Sequence, residues 1–440
     1  MPRKKKFLSH AFVDAHTPLY QSISLDNAEG LQRFCDSLHK KLVPFQWEYR
    51  PGQASPLQPP VRQAVVPVFL PFRGCPVRCV FCAQDVQTGL GPSSHKVSGH
   101  NASGHKKDNR VCSDLADASG QTENGQPTAP LAGNGITDVL DEARQNLRQR
   151  HEGGQPPAEL AFYGGTFTAL PEHELAACLD MAREALENGW ISTFRCSTRP
   201  DRVDAPMLER LRNAGCGVVE LGVQSFADSA LAASRRGYTG ATALAACATV
   251  LAAGLKLGVQ LLPGMPGHTP HDFARDVPTA LAAGAHMLRF YPCLVLEGTG
   301  LAVMWREGSY VPWSLEPTLD ALAQGWLAAM RAGVPVIRMG LAPEDGLAKA
   351  ILAGPVDAEL GGRVKGRALL LAVREALTAS DTRQKLLAEN GFALRLPKAV
   401  QGYFWGARGE LRPAWADLGL RAVAFEKQAE PQILLVSSQA

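Results

Sequence analysis

The chain has 440 residues, 45% of them hydrophobic, which is enough for a sizeable core and more than one minimal domain requires. Its 45 basic and 42 acidic residues leave a net charge of +3, which excludes a globally basic nucleic-acid binder, so any basic surface must be local. No run approaches the length of about 18 apolar residues that a membrane span needs, and the basic start MPRKKKF leads into no signal-type apolar stretch, so a cytoplasmic protein without a membrane segment is expected.

Taken in order, residues 1–63 form a lead-in with a helix expected over Asn27–Leu42 and a proline-rich approach, PGQASPLQPP. The apolar run Val65–Phe72 then reads as a buried strand, and it delivers Cys75, Cys79 and Cys82 in a C-x3-C-x2-C spacing. Thiolates select zinc or iron-sulfur clusters. A structural zinc site is closed by four ligands, and no second cysteine pair follows in the same unit. A four-iron cluster also ordinarily takes four cysteines, so three would leave one iron open to a small chelating molecule. The competing readings are a fragment of a zinc site or three buried cysteines. Seven other cysteines lack paired spacing and read as small apolar residues in a reducing compartment.

Residues 86–135 are polar and rich in Gly, Ser, Asn and His without periodicity, which predicts a disordered insertion whose His95, His100 and His105 are solvated. From Ile136, helical segments at 136–150, 172–188, 204–214, 241–253 and 270–283 alternate with apolar runs at Glu159–Tyr163, Ser192–Ser197, Val218–Val223, Lys256–Leu262 and His286–Tyr291. With the cysteine strand this makes six strand-helix units, and such alternation implies an α/β fold with a parallel sheet. Several strands end in chemistry-bearing residues. Tyr163-Gly164-Gly165-Thr166 is either a ligand cradle or an ordinary turn. Arg199 and Asp201 follow the third strand, where a turn with a helix cap is the plain reading. Gln224 ends the fourth. Arg236 lies just beyond, where a guanidinium suits a carboxylate or a helix C-terminus. Gly264 sits in the turn Leu262–Gly267, and Arg289 and Tyr291 lie on the sixth strand.

CPVRCVFC after a strand resembles the radical S-adenosylmethionine (SAM) superfamily, and Phe81 matches the aromatic that the family places before its last cysteine. The resemblance implies a partial (βα)6 barrel and a [4Fe-4S] cluster on Cys75, Cys79 and Cys82 whose open iron takes the amino and carboxylate groups of SAM. An external donor of flavodoxin or ferredoxin type would reduce the cluster. One electron then cleaves the sulfonium, and the 5′-deoxyadenosyl radical abstracts hydrogen from the substrate. The same resemblance assigns Phe81, Gly164, Gly165, Thr166, Gln224, Arg236 and Gly264 to the cofactor. A carboxylate that relatives carry at the position of Ser197 is missing.

YGGTF, STRPD, ELGVQS, RRGYT and the run from Tyr291 to Leu301 narrow the resemblance to the radical SAM domain of the Elongator catalytic subunit and its stand-alone bacterial relatives. It covers residues 64–345, gives Tyr291 and Arg289 a place facing the substrate cavity, and implies tRNA wobble-uridine modification. A coproporphyrinogen oxidase-like oxidation of a small molecule, a structural metal protein and a barrel without catalysis remain as alternatives. Residues 346–440 read as a small α+β extension with no visible acetyltransferase domain. In it, Arg363–Ala368 is expected as a loop and helix start, and Gly406–Gly409 is a G-x-x-G turn suited either to a nucleic-acid backbone or to a helical cap.

Overall fold

The computed structural model describes residues 42–44, 64–71, 73–83, 135–341, 345–378, 391–426 and 432–435. The expected helix over 27–42, the insertion with its three histidines, Cys35 and Cys112 lie outside these residues, apart from Leu42 and from Gly135, which caps the helix that follows the insertion. Leu42 opens a short strand, β1 (Leu42–Pro44).

The chain's parallel sheet is built from β2 (Val65–Phe69), β3 (Ala158–Tyr163), β4 (Ile191–Thr198), β5 (Cys216–Gln224), β6 (Lys256–Leu261) and β7 (Met287–Phe290), in that spatial order. All six expected strands are present. A seventh follows: after the two-residue strand β8 (Val295–Leu296), β9 (Val336–Met339) pairs parallel with β7. Its four residues, VIRM, are too few to show a period and lie between two helices, which is why the sequence count stopped at six. The helices Ile136–Glu152, Glu172–Glu187, Ala205–Asn213, Gly240–Ala252 and Pro270–Ala282 fall where the pattern placed them. Residue chemistry sets their starts: Thr239 and Thr269 accept hydrogen bonds from the backbone N–H groups of Thr242 and Asp272, and Asp204 does the same for Met207.

The two faces of the sheet differ in kind. Val66, Val68, Leu160, Phe162, Phe194, Cys196, Val219, Leu221, Leu257, Val259, Leu288 and Phe290 are all buried on the face that the helices cover. Each such side chain contributes about 1.5–3 kcal/mol by leaving water. The alternate residues, Phe69, Tyr163, Arg195, Ser197, Glu220, Gln260 and Arg289, occupy the other face. Strand register links them, since Phe69 lies opposite Tyr163, Ser197 opposite Glu220, and Gln260 opposite Arg289. A strand has a period of two, so this whole polar set shares one side.

The chain beyond the sheet adds β10 (Ile351–Ala353), which pairs with β8, and a second sheet. In that sheet β11 (Phe392–Pro397) lies between β12 (Leu420–Glu426) and β13 (Gln432–Leu435), with β1 on the outer edge of β13. Helix Leu360–Thr378 packs on Leu315–Arg331, and the core runs without a break into Phe392, Phe404 and Trp415. Residues 363–368 are thus the interior of a helix and not a loop. Gly366 is small because the Tyr403 carbonyl and Leu411 press on it, a tertiary constraint that mimics a glycine-loop pattern in sequence.

Candidate active site

The cysteines stand where β2 ends. Leu70 donates its N–H to the Tyr163 carbonyl at 2.7 Å, extending the β2–β3 pairing, and Thr166 donates to the Arg73 carbonyl at 3.0 Å. Gly164 and Gly165 have φ of +103° and +57°, and a Cβ on either would collide with the backbone of Leu70 or Arg73. The chain that closes on the glycine pair in this structure is therefore the cysteine loop itself, which gives the pair a packing role of its own. Arg73 is ion-paired with the buried Glu174 at the start of the next helix. Beyond the loop's midpoint, Val80 donates to the Ser234 carbonyl at 3.3 Å and accepts from Leu301 N–H at 2.7 Å. Phe81 packs on the apolar cluster of Val80, Met265, Cys293 and Val295.

Cys79 is buried, while Cys75 and Cys82 are half-buried. The Cys75 sulfur lies 2.9 Å from the Thr166 hydroxyl, and burial pushes its thiol up against the opposing pull of that bond and of Arg199. Two guanidiniums face Cys79: Arg236 Nη1 at 3.1 Å and Arg199 Nη1 at 3.7 Å. Asp201 holds Arg199 with two bonds of 2.8 and 3.1 Å, while the Arg236 carbonyl accepts from Arg199 Nη2 at 2.5 Å. Arg236 in turn donates to the Gly222 carbonyl at 2.5 Å and to the Tyr238 hydroxyl at 2.7 and 3.0 Å.

Three soft donors on one short loop, one of them under two cations, suit a thiolate-bound cluster. Among the described residues no three His, Cys, Asp or Glu side chains are gathered for a single ion. A cluster does not require that, because its ligands sit on separate irons.

On the polar face Glu220 is the hub, only 1% exposed. Arg289 reaches it with Nε at 2.6 Å and Nη2 at 2.9 Å, Arg195 Nη1 at 3.1 Å, Gln260 Nε2 at 3.0 Å and the Tyr163 hydroxyl at 3.3 Å. Burial would raise the Glu220 pKa, but Arg289, Gln260 and Arg195 outweigh it and hold the carboxyl below its usual range. Arg289 also donates to the hydroxyls of Tyr163 at 2.6 Å and Tyr291 at 3.2 Å, and burial pushes both phenols up. Glu159 takes the far side of Arg195. Phe69, 46% exposed, stands beside Tyr163 with ring centroids 5.9 Å apart.

At the rim, Gln224 holds φ of +70°, a strained state for a residue with a side chain and worth about 1–3 kcal/mol. Gly264 lies against the Trp313 ring; its N–H donates to His268 Nδ1 at 3.1 Å, and its carbonyl accepts from the Tyr310 hydroxyl at 2.6 Å. His268 Nε2 pairs with Asp276 Oδ2 at 3.0 Å.

The structure thus gathers Cys79, Thr166 and Arg236 at one end of the sheet and Arg289 with Tyr291 on its polar face. Sequence reasoning assigned no role to Glu220, Tyr163 or Tyr238, and read Arg199 only as part of a turn. A charged residue inside the apolar run CGVVELGV was the available signal for Glu220.

Residues 69–277 match the Radical SAM superfamily, and residues 285–367 match the Radical_SAM C-terminal domain. The chain belongs to the radical SAM superfamily. It is 30% identical over 208 residues to a protein named tRNA uridine(34) acetyltransferase from Methanocaldococcus infernus, covering 42% of this chain and 39% of that protein. It is 28% identical over 230 residues to Elongator complex protein 3 of Schizosaccharomyces pombe, covering 45% and 41%. The chain therefore spans about two fifths of the length of these curated relatives. Among solved structures, the archaeal Elp3 of Methanocaldococcus infernus, lacking its N-terminus, overlays with a TM-score of 0.44 at 26% identity, covering 50% of this chain and 56% of that one.

In the C-terminal segment the cations of Arg363 and Arg367 already have carboxylate partners. Arg363 is paired with Asp357, Glu316 and Glu410, and Arg367 with Glu316 and Asp320. These cations are consumed inside the protein. The Gly406–Gly409 turn holds Arg408 at φ +52° and brings Glu410 onto Arg363, which is the geometry of a cap.

Proposed function

We propose that the chain is a cytoplasmic radical SAM enzyme of the Elongator type that modifies the wobble uridine of tRNA. Residues 64–345 would form the catalytic half-barrel, 1–63 a lead-in and 346–440 an extension. Cys75, Cys79 and Cys82 would hold a [4Fe-4S] cluster, and Phe81, Gly164, Gly165, Thr166, Gln224, Arg236 and Gly264 would surround SAM. When bound, the cluster and SAM supply one-electron cleavage of the sulfonium and hydrogen abstraction from the substrate. An external flavodoxin or ferredoxin would deliver the electron.

The observation that carries this reading is the placing of a three-thiol loop at the strand end that opens onto the polar face. There Glu220 holds Arg289, Arg289 in turn donates to Tyr291, and Phe69 offers an exposed ring. On this face, among the described residues, Glu159 and Glu220 balance Arg195 and Arg289, and the exposed Arg338 lies beyond that balance. A neutral planar base suits such a face, since it stacks on an aromatic ring and bonds to fixed polar groups. A polycarboxylate such as a porphyrinogen would call for unpaired guanidiniums, so this balance favours RNA over the small-molecule oxidase. Support for tRNA comes from the relatives and from this face, not from the tail.

The test compares modified nucleosides in tRNA from cells with and without the gene. Loss of one modification, restored by the wild-type chain and not by Cys79→Ala, is the expected result. An unchanged tRNA profile, with SAM cleavage intact in the purified protein, overturns the RNA reading.

A further inference from the structure

Arg236 is 5% exposed, and its partners are a carbonyl, a phenol and a cysteine sulfur, with no carboxylate among the described residues. A buried guanidinium is normally paired with an anion. The group positioned to be that anion is Cys79, on which Arg199, itself 3% exposed, also converges. The Tyr238 ring lies against both guanidiniums, 5.0 Å from Arg236 and 5.3 Å from Arg199, so neither can swing away without losing that contact. Asp201 fixes the fork of Arg199 from the other side. Cys75, by contrast, meets the neutral hydroxyl of Thr166.

Resting on the proposed function, we propose that Arg199 and Arg236 are positioning residues that donate to the Cys79 ligand sulfur and thereby raise the reduction potential of the bound cluster. Reduction adds negative charge to a cluster, and hydrogen bonds and cations at a ligand sulfur stabilise that state most. This role belongs to the ground-state protein and operates without SAM, so it is separate from any contact between Arg236 and the SAM carboxylate.

The experiment is an EPR-monitored potentiometric titration of the full chain, reconstituted anaerobically and without SAM, with iron content measured on the same samples. Arg236→Gln and Arg199→Gln should each retain iron and shift the midpoint to a more negative potential, the shift being larger for Arg236→Gln. Arg236→Lys and Arg199→Lys, which keep the charge and lose the fork, should recover part of the shift. If a glutamine variant takes up no iron, its lysine counterpart supplies the reading. Potentials equal to wild type in variants that hold wild-type iron overturn the proposal. Failure of the wild-type chain to take up any cluster would instead overturn the functional reading on which it rests.

Discussion

Two charged hubs in this molecule are mirror images. On the polar face of the sheet one carboxylate, Glu220, gathers two guanidiniums, a tyrosine hydroxyl and an amide; beyond the sheet one guanidinium, Arg363, gathers three carboxylates. The first hub is sealed, and its outer members Arg289, Tyr163 and Tyr291 remain partly exposed to whatever enters the half-barrel. The second closes on itself, with Arg363 and Arg367 set against Asp357, Glu316, Asp320 and Glu410. What a basic residue offers a ligand thus depends on the carboxylates folded against it, which linear charge patterning does not reveal.

Of the two hubs, the larger effect of a single substitution is expected at Glu220. Glu220→Gln leaves Arg289 without its buried anion and Arg195 with only Glu159, and should cost about 3–5 kcal/mol in urea or thermal unfolding. The pH dependence has a definite sign. The folded-state pKa of Glu220 is lowered, so its contribution is complete above the ordinary carboxylate range and is lost as pH falls through the folded value. The wild-type protein should lose stability on acidification more steeply than Glu220→Gln, and parallel acid limbs would show that Glu220 is not ionised in the fold.

A smaller loss is expected at the second hub. Arg363→Ala should cost about 1–3 kcal/mol, since its carboxylate partners are partly solvated and water replaces part of what is lost. Its iron content after reconstitution should equal wild type, because the hub serves the junction of the extension and not the cysteine loop. A loss of iron in that variant would join the two regions into one functional unit. The smallest effect is expected at Arg408→Glu: stability within about 0.5 kcal/mol of wild type and unchanged salt-dependent tRNA affinity. A clear weakening there would revive the G-x-x-G turn as an RNA contact.

The positions of the elements were legible in the sequence wherever period and length were clear. Helical segments from Ile136–Glu152 onward alternate with apolar runs through Met287–Phe290, a repeat readable in the sequence, whereas β9 is a short segment that stands outside that repeat. The thiol loop was legible because cysteine spacing is local chemistry. Glu220, Arg199 and Tyr238 were not, because each acquires its role from residues on other strands and loops, brought to it only by register and crossover. Arg363–Ala368 misled for the converse reason, a glycine demanded by helix packing against Tyr403 standing at the spacing of a loop motif.

If Cys75, Cys79 and Cys82 hold a cluster with one iron free for SAM, as we claim, the EPR spectrum of the reduced, reconstituted chain must respond to SAM. A cluster signal that changes on SAM addition, is lost together with iron in Cys79→Ala and persists in Cys112→Ala is the predicted result. A signal indifferent to SAM, or iron lost from Cys112→Ala as fully as from Cys79→Ala, would show a site closed by a fourth protein ligand and contradict the claim.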